Sequence, residues 1–153
     1  MRKRLFEPLG MNDATFWPTA EQMARMSDCD WLENGSYVVR PIGCLQSPYS
    51  NPGRYAEAGA GLFATAIDVA RFYRMIAAGG KLPDGTRLLS EAAFAEWMRL
   101  PAPADAAAWA DPRNGTAKVM MIQVVGDSPA REAMWKTWHR AAEVIESGEG
   151  ETR

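Results

Sequence analysis

The chain has a single histidine, His139, and only two cysteines, Cys29 and Cys44, among its 153 residues. No Cys, His, Asp or Glu cluster has metal-ligand spacing, so no metal or other cofactor is expected. A catalytic thiol needs a base beside it. His139 stands on a predicted helix with no Asp, Glu or Cys paired to it, which fits a surface or packing residue. Two cysteines at this spacing do not establish a disulfide, so isolated thiols are expected. Positive charge is not in excess: 17 Lys and Arg face 19 Asp and Glu, for a net charge of −2. That excludes the dense basic field a nucleic-acid surface needs, and Arg2-Lys3-Arg4 fits a solvated helix end. No apolar run approaches the ~20 residues of a membrane span. The basic N-terminus leads into no apolar h-region, so no signal peptide is expected and the compartment is left open. Repeats and low-complexity blocks are also missing. What is present is ordinary for a globular domain, 47% hydrophobic and 24% charged, and long enough to bury a core.

The most organised stretch runs from Gly59 to Met98. Thr65-x-x-Asp68 is a variant capping box, with Asp in place of the usual Glu, and Asp68 also suits the positive end of the helix dipole. Val69, Phe72, Tyr73 and Ile76 follow at i, i+3, i+4 and i+7 and predict one apolar helix face; Arg71 and Arg74 fall away from it. Gly79-Gly80 ends the helix, since glycine accepts the left-handed C′ conformation. Pro83-Asp84-Gly85 is a turn, Leu88-Leu89 predicts a brief strand, and Ser90 caps a second helix carrying Ala93, Phe94, Trp97 and Met98. Pro101 and Pro103 end that helix. Gly59-Ala60-Gly61 is either a backbone loop lining a cleft or a tight packed turn. With no G-x-G-x-x-G and no Lys-Ser/Thr after it, the turn is preferred.

Elsewhere the signals are thinner. Arg2 to Phe6 resembles the end of a helix, and Glu7 to Met11 a breaker-rich connector. Thr19-x-x-Gln22 is a second capping box, opening a short helix over Ala20 to Met26. Tyr37-Val38-Val39 predicts a strand, and Ser47 to Arg54 a loop that could border a pocket. Asp111-Pro112-Arg113-Asn114-Gly115 predicts a hairpin turn between Ala106–Ala110 and a central strand over Thr116 to Val125. Ser128 and Pro129 open a closing helix with Met134, Trp138, Ala141 and Ile145 as its apolar stripe. The segment after Ser147 is polar.

Three blocks resemble one family in its own order. RLFEPLGMNDATF, AGAGLFATAIDVARFYRMIAAGGKLPDGTRLLSEAAFAEWM and WADPRNGTAKVMMIQV are similar to segments of the β-lactamase-related serine hydrolases: class C β-lactamases, D-alanyl-D-alanine carboxypeptidases and esterases. The resemblance implies an α+β fold, a partial β-lactamase-like fold with helices packed on a small antiparallel sheet that includes a C-terminal hairpin and closing helix. Residues 1–147 would form a single incomplete domain and 148–153 a polar tail. It also implies a parent reaction, in which an activated serine attacks an amide, lactam or ester carbonyl and water releases the acyl-enzyme.

The parent's chemical motifs do not accompany the resemblance. None of Ser27, Ser36, Ser47, Ser50, Ser90, Ser128 and Ser147 has lysine three residues later, so Ser-x-x-Lys is absent. In the family the nucleophile precedes the Pro-Leu-Gly-Met block, which here starts at Pro8. Tyr49-Ser50-Asn51 matches Tyr-x-Asn but follows that block instead of preceding it, which fits a coincidental loop tripeptide. The Lys/His-x-Gly strand should fall between Leu100 and Trp109, where there is neither Lys nor His. Lys136-Thr137 leads into Trp138 on a helix. The alanine-rich join after Met98 fits an internal deletion. No residue is therefore assigned as catalytic, cofactor-binding or metal-binding. The expectation is a C-terminal portion or deleted relative of a serine hydrolase, inactive alone. The alternative is a non-catalytic binding module or one part of a split hydrolase. Expected partners are a complementary N-terminal segment or a second copy, through exposed apolar surface. An unrelated hydrolase using Ser50 or a cysteine has only those residue types to support it.

Overall fold

This computed structural model describes residues 1–41, 45, 48–56, 61–99, 108–125 and 128–147. Within them, after a short 3-10 turn at Arg2–Arg4, the chain order is helices α1 Phe6–Leu9 and α2 Ala20–Ala24, strands β1 Asp30–Glu33 and β2 Ser36–Val39, helices α3 Ala66–Ala77 and α4 Glu91–Trp97, strands β3 Ala108–Asp111, β4 Thr116–Val119 and β5 Val124–Val125, and helix α5 Pro129–Ser147. The class is α+β, as expected. The chain divides into two compact units, one of Met1–Ala24 with Ser47–Met121, the other of Arg25–Gln46 with Ile122–Arg153.

The first unit is built around α3. Its capping box is complete: the Thr65 hydroxyl accepts the Asp68 amide at 3.1 Å, and the Asp68 carboxylate accepts the Thr65 amide at 3.3 Å. Ile76 is fully buried, and with Phe6, Leu9, Met11 and Met75 it forms the core. Gly79 and Gly80 end the helix at positive φ, 67° and 85°. Helix α3 packs against α1 and against the antiparallel β3–β4 hairpin, in register from Ala108↔Val119 to Asp111↔Thr116. The Asp111-to-Gly115 turn lies where expected, with Gly115 at φ 71°.

Four details differ from the sequence expectation. The connector after Arg4 holds a helical turn, α1, because Pro8 falls in the first turn, where no amide needs an intrahelical partner. Gly10 caps it at φ 66°. Leu88-Leu89 is a bend, not a strand: both amides donate to the Gly80 carbonyl, at 2.9 and 3.2 Å, and the only pairing nearby is the isolated Lys81↔Arg87 bridge. The run from Thr116 to Val125 breaks at residues 120–123, so β4 and β5 belong to different units and different sheets. Helix α2 ends at Ala24, short of Met26; its Thr19–Gln22 capping box is present in both directions.

The second unit holds a three-stranded sheet in the order β2-β1-β5. The β1–β2 hairpin turns at Asn34-Gly35, whose φ of 49° and 79° suit a type I′ turn. Strand β5 adds to β1 in parallel, so this sheet is mixed, whereas the β3–β4 pair is antiparallel. The Ser128 hydroxyl caps α5 by accepting the Arg131 amide at 3.0 Å, and it also accepts the Tyr37 hydroxyl at 3.1 Å. The sequestered side of α5 runs through Trp135, Trp138, His139 and Ala142. Met134 is 45% exposed and the Ile145 side chain lies outside the described set, so the stripe sits about one residue on from the expected one.

Candidate functional site

The loop bearing Tyr49-Ser50-Asn51 is organised as a turn. The Asn51 side chain accepts the Gly53 amide at 2.9 Å, and the Arg54 amide donates to the Asn51 carbonyl at 3.1 Å. Tyr49 is buried against Phe63, ring centroids 5.5 Å apart, while Ser50 is exposed. No lysine, histidine or carboxylate bonds to Ser50 among the described residues. The tripeptide therefore supplies a turn and a packing ring.

What holds this loop is Arg54, a residue that no sequence motif singles out. It is only 5% exposed. Its Nε donates to the Tyr49 carbonyl at 3.1 Å, Nη2 donates to the Phe16 carbonyl, and its guanidinium lies 6.0 and 5.9 Å from the Tyr49 and Phe63 ring centroids. The Trp17 indole donates to the Arg54 carbonyl at 3.1 Å. An arginine is weakly hydrated for a cation and stacks on rings, which makes it the cation best suited to such burial. A lone arginine in a Pro/Gly-rich loop has no sequence mark to distinguish it from a solvated one.

The remaining candidates fall in scattered places. Cys29 is a buried free thiol, and Cys44 lies outside the described residues. His139 packs edge-on to Trp135 and Trp138, each ring centroid 4.9 Å away. Lys136 pairs with Glu132 at 2.6 Å, holding that carboxyl below its ordinary range through the hydrogen bond. Thr137 donates back to the Ala133 carbonyl at 2.8 Å. Lys136-Thr137 is thus committed to the surface of α5. Gly61 takes φ 86°, a conformation that favours glycine; Gly59, Ala60 and residues 100–107 lie outside the described set. Among the described residues no group of three or more His, Cys, Asp or Glu comes together, and no helix is long and apolar enough to cross a membrane.

The first unit contains a cleft of about 210 Å³ between α1, the C-terminal half of α3 and the turn after it. Arg71 bounds it, with one guanidinium nitrogen donating to the Gly10 carbonyl and lying 3.6 Å from the Asp68 carboxylate. No nucleophile–base pair lines it.

Comparison with known proteins bears on this arrangement. The family model for Beta-lactamase matches residues 1–115. Protein Rv1367c of Mycobacterium tuberculosis (strain H37Rv) is 32% identical over 88 residues, covering 58% of this chain and 21% of that protein. An uncharacterized protein, MT1414, of M. tuberculosis (strain CDC 1551) matches to the same extent. Lovastatin esterase of Penicillium rubens is 34% identical over 80 residues, covering 51% of this chain and 20% of the esterase. The chain spans about a fifth of the length of the curated relatives it matches.

Proposed function

Because the chain belongs to the β-lactamase family, we propose that it is a relative of its serine acyl hydrolases that carries scaffold but not the acyl-transfer centre. It corresponds to the part of the family domain that follows the nucleophile, and residues 1–147 derive from one such incomplete domain. The observation that carries this reading is that none of its seven serines has a lysine three residues on. On a helix that spacing places the lysine amine one turn from the hydroxyl, where in its neutral form it can take the proton. Without it, oxyanion donors and substrate positioning have no attacking oxygen to act on. The parent reaction in this reading is hydrolysis of an ester, amide or lactam through an acyl-serine; the esterase relative favours an ester. Activity would require a serine and lysine supplied by another segment.

A second reading, a binding module or one part of a split hydrolase, is favoured by exposed apolar side chains in the first unit. Tyr55 is 88% exposed, Ile67 65% and Leu62 42%. Such surface suits a complementary segment or a second copy.

The test is hydrolysis of a chromogenic cephalosporin and of p-nitrophenyl butyrate by the purified chain, with fluorophosphonate labelling. The reading expects neither turnover nor label. Turnover accompanied by a labelled serine overturns it, and the labelled position, Ser50 being the first to inspect, identifies the nucleophile. Concentration-dependent mass by light scattering separates the second reading from a monomeric scaffold.

A further inference from the structure

The cleft beside α3 combines two features that neither packing nor helix capping requires together. Its floor is apolar, formed by Leu9, Met75 and Leu82, and its rim carries Arg71, Arg74 and Lys81 with no acidic side chain in the lining. Leu9 and Met75 belong to the buried core, so the floor is held in place from behind. The three cations are not equivalent. Arg71 is already engaged by the Gly10 carbonyl and Asp68. Arg74 and Lys81 make no ion pair among the described residues.

Cations near a helix C-terminus ordinarily serve the dipole, but this end is satisfied by other groups. The Ala78, Gly79 and Gly80 amides donate to the Arg74, Ile76 and Met75 carbonyls, each at 2.9 Å. The Arg87 guanidinium donates to the Gly79 carbonyl at 2.9 Å. Two positive charges therefore border an apolar floor without an ion pair among the described residues.

We propose that this cleft binds a small amphipathic carboxylate, its anionic head on Arg74 and Lys81 and its apolar body against Leu9, Met75 and Leu82. Charge sets the head group: a guanidinium engages a carboxylate through paired N–H donors. Size sets the body. The 210 Å³ available corresponds to about seven waters, and a dry cavity of about 150 Å³ suffices for a benzene ring. One ring or a short branched chain fills it; a long acyl chain would extend beyond it. Inorganic anions would leave the floor unused. The site contains no serine and does not depend on acyl transfer by this chain.

The probe is phenylacetate, titrated into the full chain at low salt and followed by amide shifts of Leu9, Ala78 and Leu82 in two-dimensional NMR. Phenylacetamide, neutral and of the same shape, and inorganic phosphate are titrated in parallel. Saturable shifts at those amides are expected with phenylacetate. Binding should be at least about tenfold weaker for phenylacetamide and for phosphate, and about tenfold weaker in Arg74→Gln and in Lys81→Gln. Arg74 and Lys81 are both exposed, so the variants should keep the thermal midpoint of the parent chain. Equal binding of phenylacetate and phenylacetamide overturns the proposal. So do phosphate binding as tightly, shifts confined to other parts of the chain, indifference to both substitutions, or no saturation at tens of millimolar.

Discussion

Gly79 and Gly80 invite a paired substitution whose two halves should differ for one stated reason. Both take positive φ, 67° and 85°, so alanine at either meets the same left-handed penalty of ~1–2 kcal/mol. Each also gains ~0.4–1 kcal/mol from a less flexible unfolded chain. The surroundings then separate them. A Cβ at Gly79 meets nothing within 4 Å, whereas at Gly80 it would lie 2.9 Å from the Leu89 Cβ and 3.2 Å from the Leu89 carbonyl oxygen. The backbone there has little room to retreat, because the Leu88 and Leu89 amides both donate to the Gly80 carbonyl. Overpacking of this kind costs ~1–3 kcal/mol.

Gly79→Ala should therefore destabilise by about 1 kcal/mol and Gly80→Ala by about 3 kcal/mol. In a chain of 153 residues that gap of about 2 kcal/mol corresponds to roughly 4–8 °C in thermal midpoint. Urea unfolding followed by tryptophan fluorescence measures it, and an unchanged denaturant slope would show that only stability moved. If the two variants fall within about 0.5 kcal/mol of each other, the close approach of Leu89 to Gly80 is not what fixes glycine there.

Three further outcomes are expected. Ile76→Ala should cost ~2–5 kcal/mol in urea unfolding, and Ile76→Val ~0.5–1.5, because the side chain is fully buried in the core. Thr65→Ala should cost about 1 kcal/mol by removing the acceptor for the Asp68 amide. A loss as large as that of Ile76→Ala would mean the hydroxyl does more than cap. Asp111 is held below its ordinary range, first by the side-chain hydrogen bond from Arg113 and then by the Arg113 amide. A depressed folded pKa stabilises above the unfolded value of about 3.9 and loses that stabilisation as pH falls through the folded value. Arg113→Ala should thus lower the thermal midpoint slightly at pH 7 and make its acid decline shallower; an unchanged acid branch would dismiss the pair.

Local chemistry made part of this fold legible. The Thr65–Asp68 and Thr19–Gln22 boxes, the Gly79-Gly80 stop, the Asn114-Gly115 turn and the Ser128-Pro129 opening each act through neighbours a few residues away, so sequence contains the whole interaction. The Asn34-Gly35 turn carried the same kind of signal, and with it strand β1 was within reach; only its short, weakly alternating flanks hid it. What stayed out of reach depends on distant partners. Apolarity alone predicted one strand over Thr116 to Val125, but pairing decides strands, and the run divides between β3 and β1 as partners. Arg54 sits in a loop whose composition suggests solvent. Its burial draws on Phe16, Trp17 and Phe63, which approach from distant parts of the sequence. The cleft beside α3 likewise needs α1 and the turn at Lys81 to be brought together.

The same division accounts for the candidate site. The residues that carry the family likeness shape backbone: Gly10 closes α1, Thr65 and Asp68 open α3, and Gly80 admits Leu89. Each explains itself within the unit that contains it and asks for no substrate. The serines tell a parallel story. Ser90 accepts the Ala93 amide at 3.1 Å. Ser128 takes the Arg131 amide and the Tyr37 hydroxyl, and Ser50 lies exposed on a turn. A nucleophile needs the reverse arrangement, with its proton directed to a base ~2.6–3.2 Å away and that base itself positioned. Converting a capping serine to that role would remove the cap and still leave the base to be supplied. In the proposed reading, then, activity cannot be restored by a single lysine placed three residues after Ser50, because the segment there is a turn and not a helix, and no second group positions such a lysine as a base. Ser-x-x-Lys has to arrive as a helical turn already formed. A segment carrying one, added in trans, is therefore the restoration to attempt: recovered p-nitrophenyl butyrate hydrolysis with the label on the added serine would support a split enzyme, and label on Ser50 would contradict it.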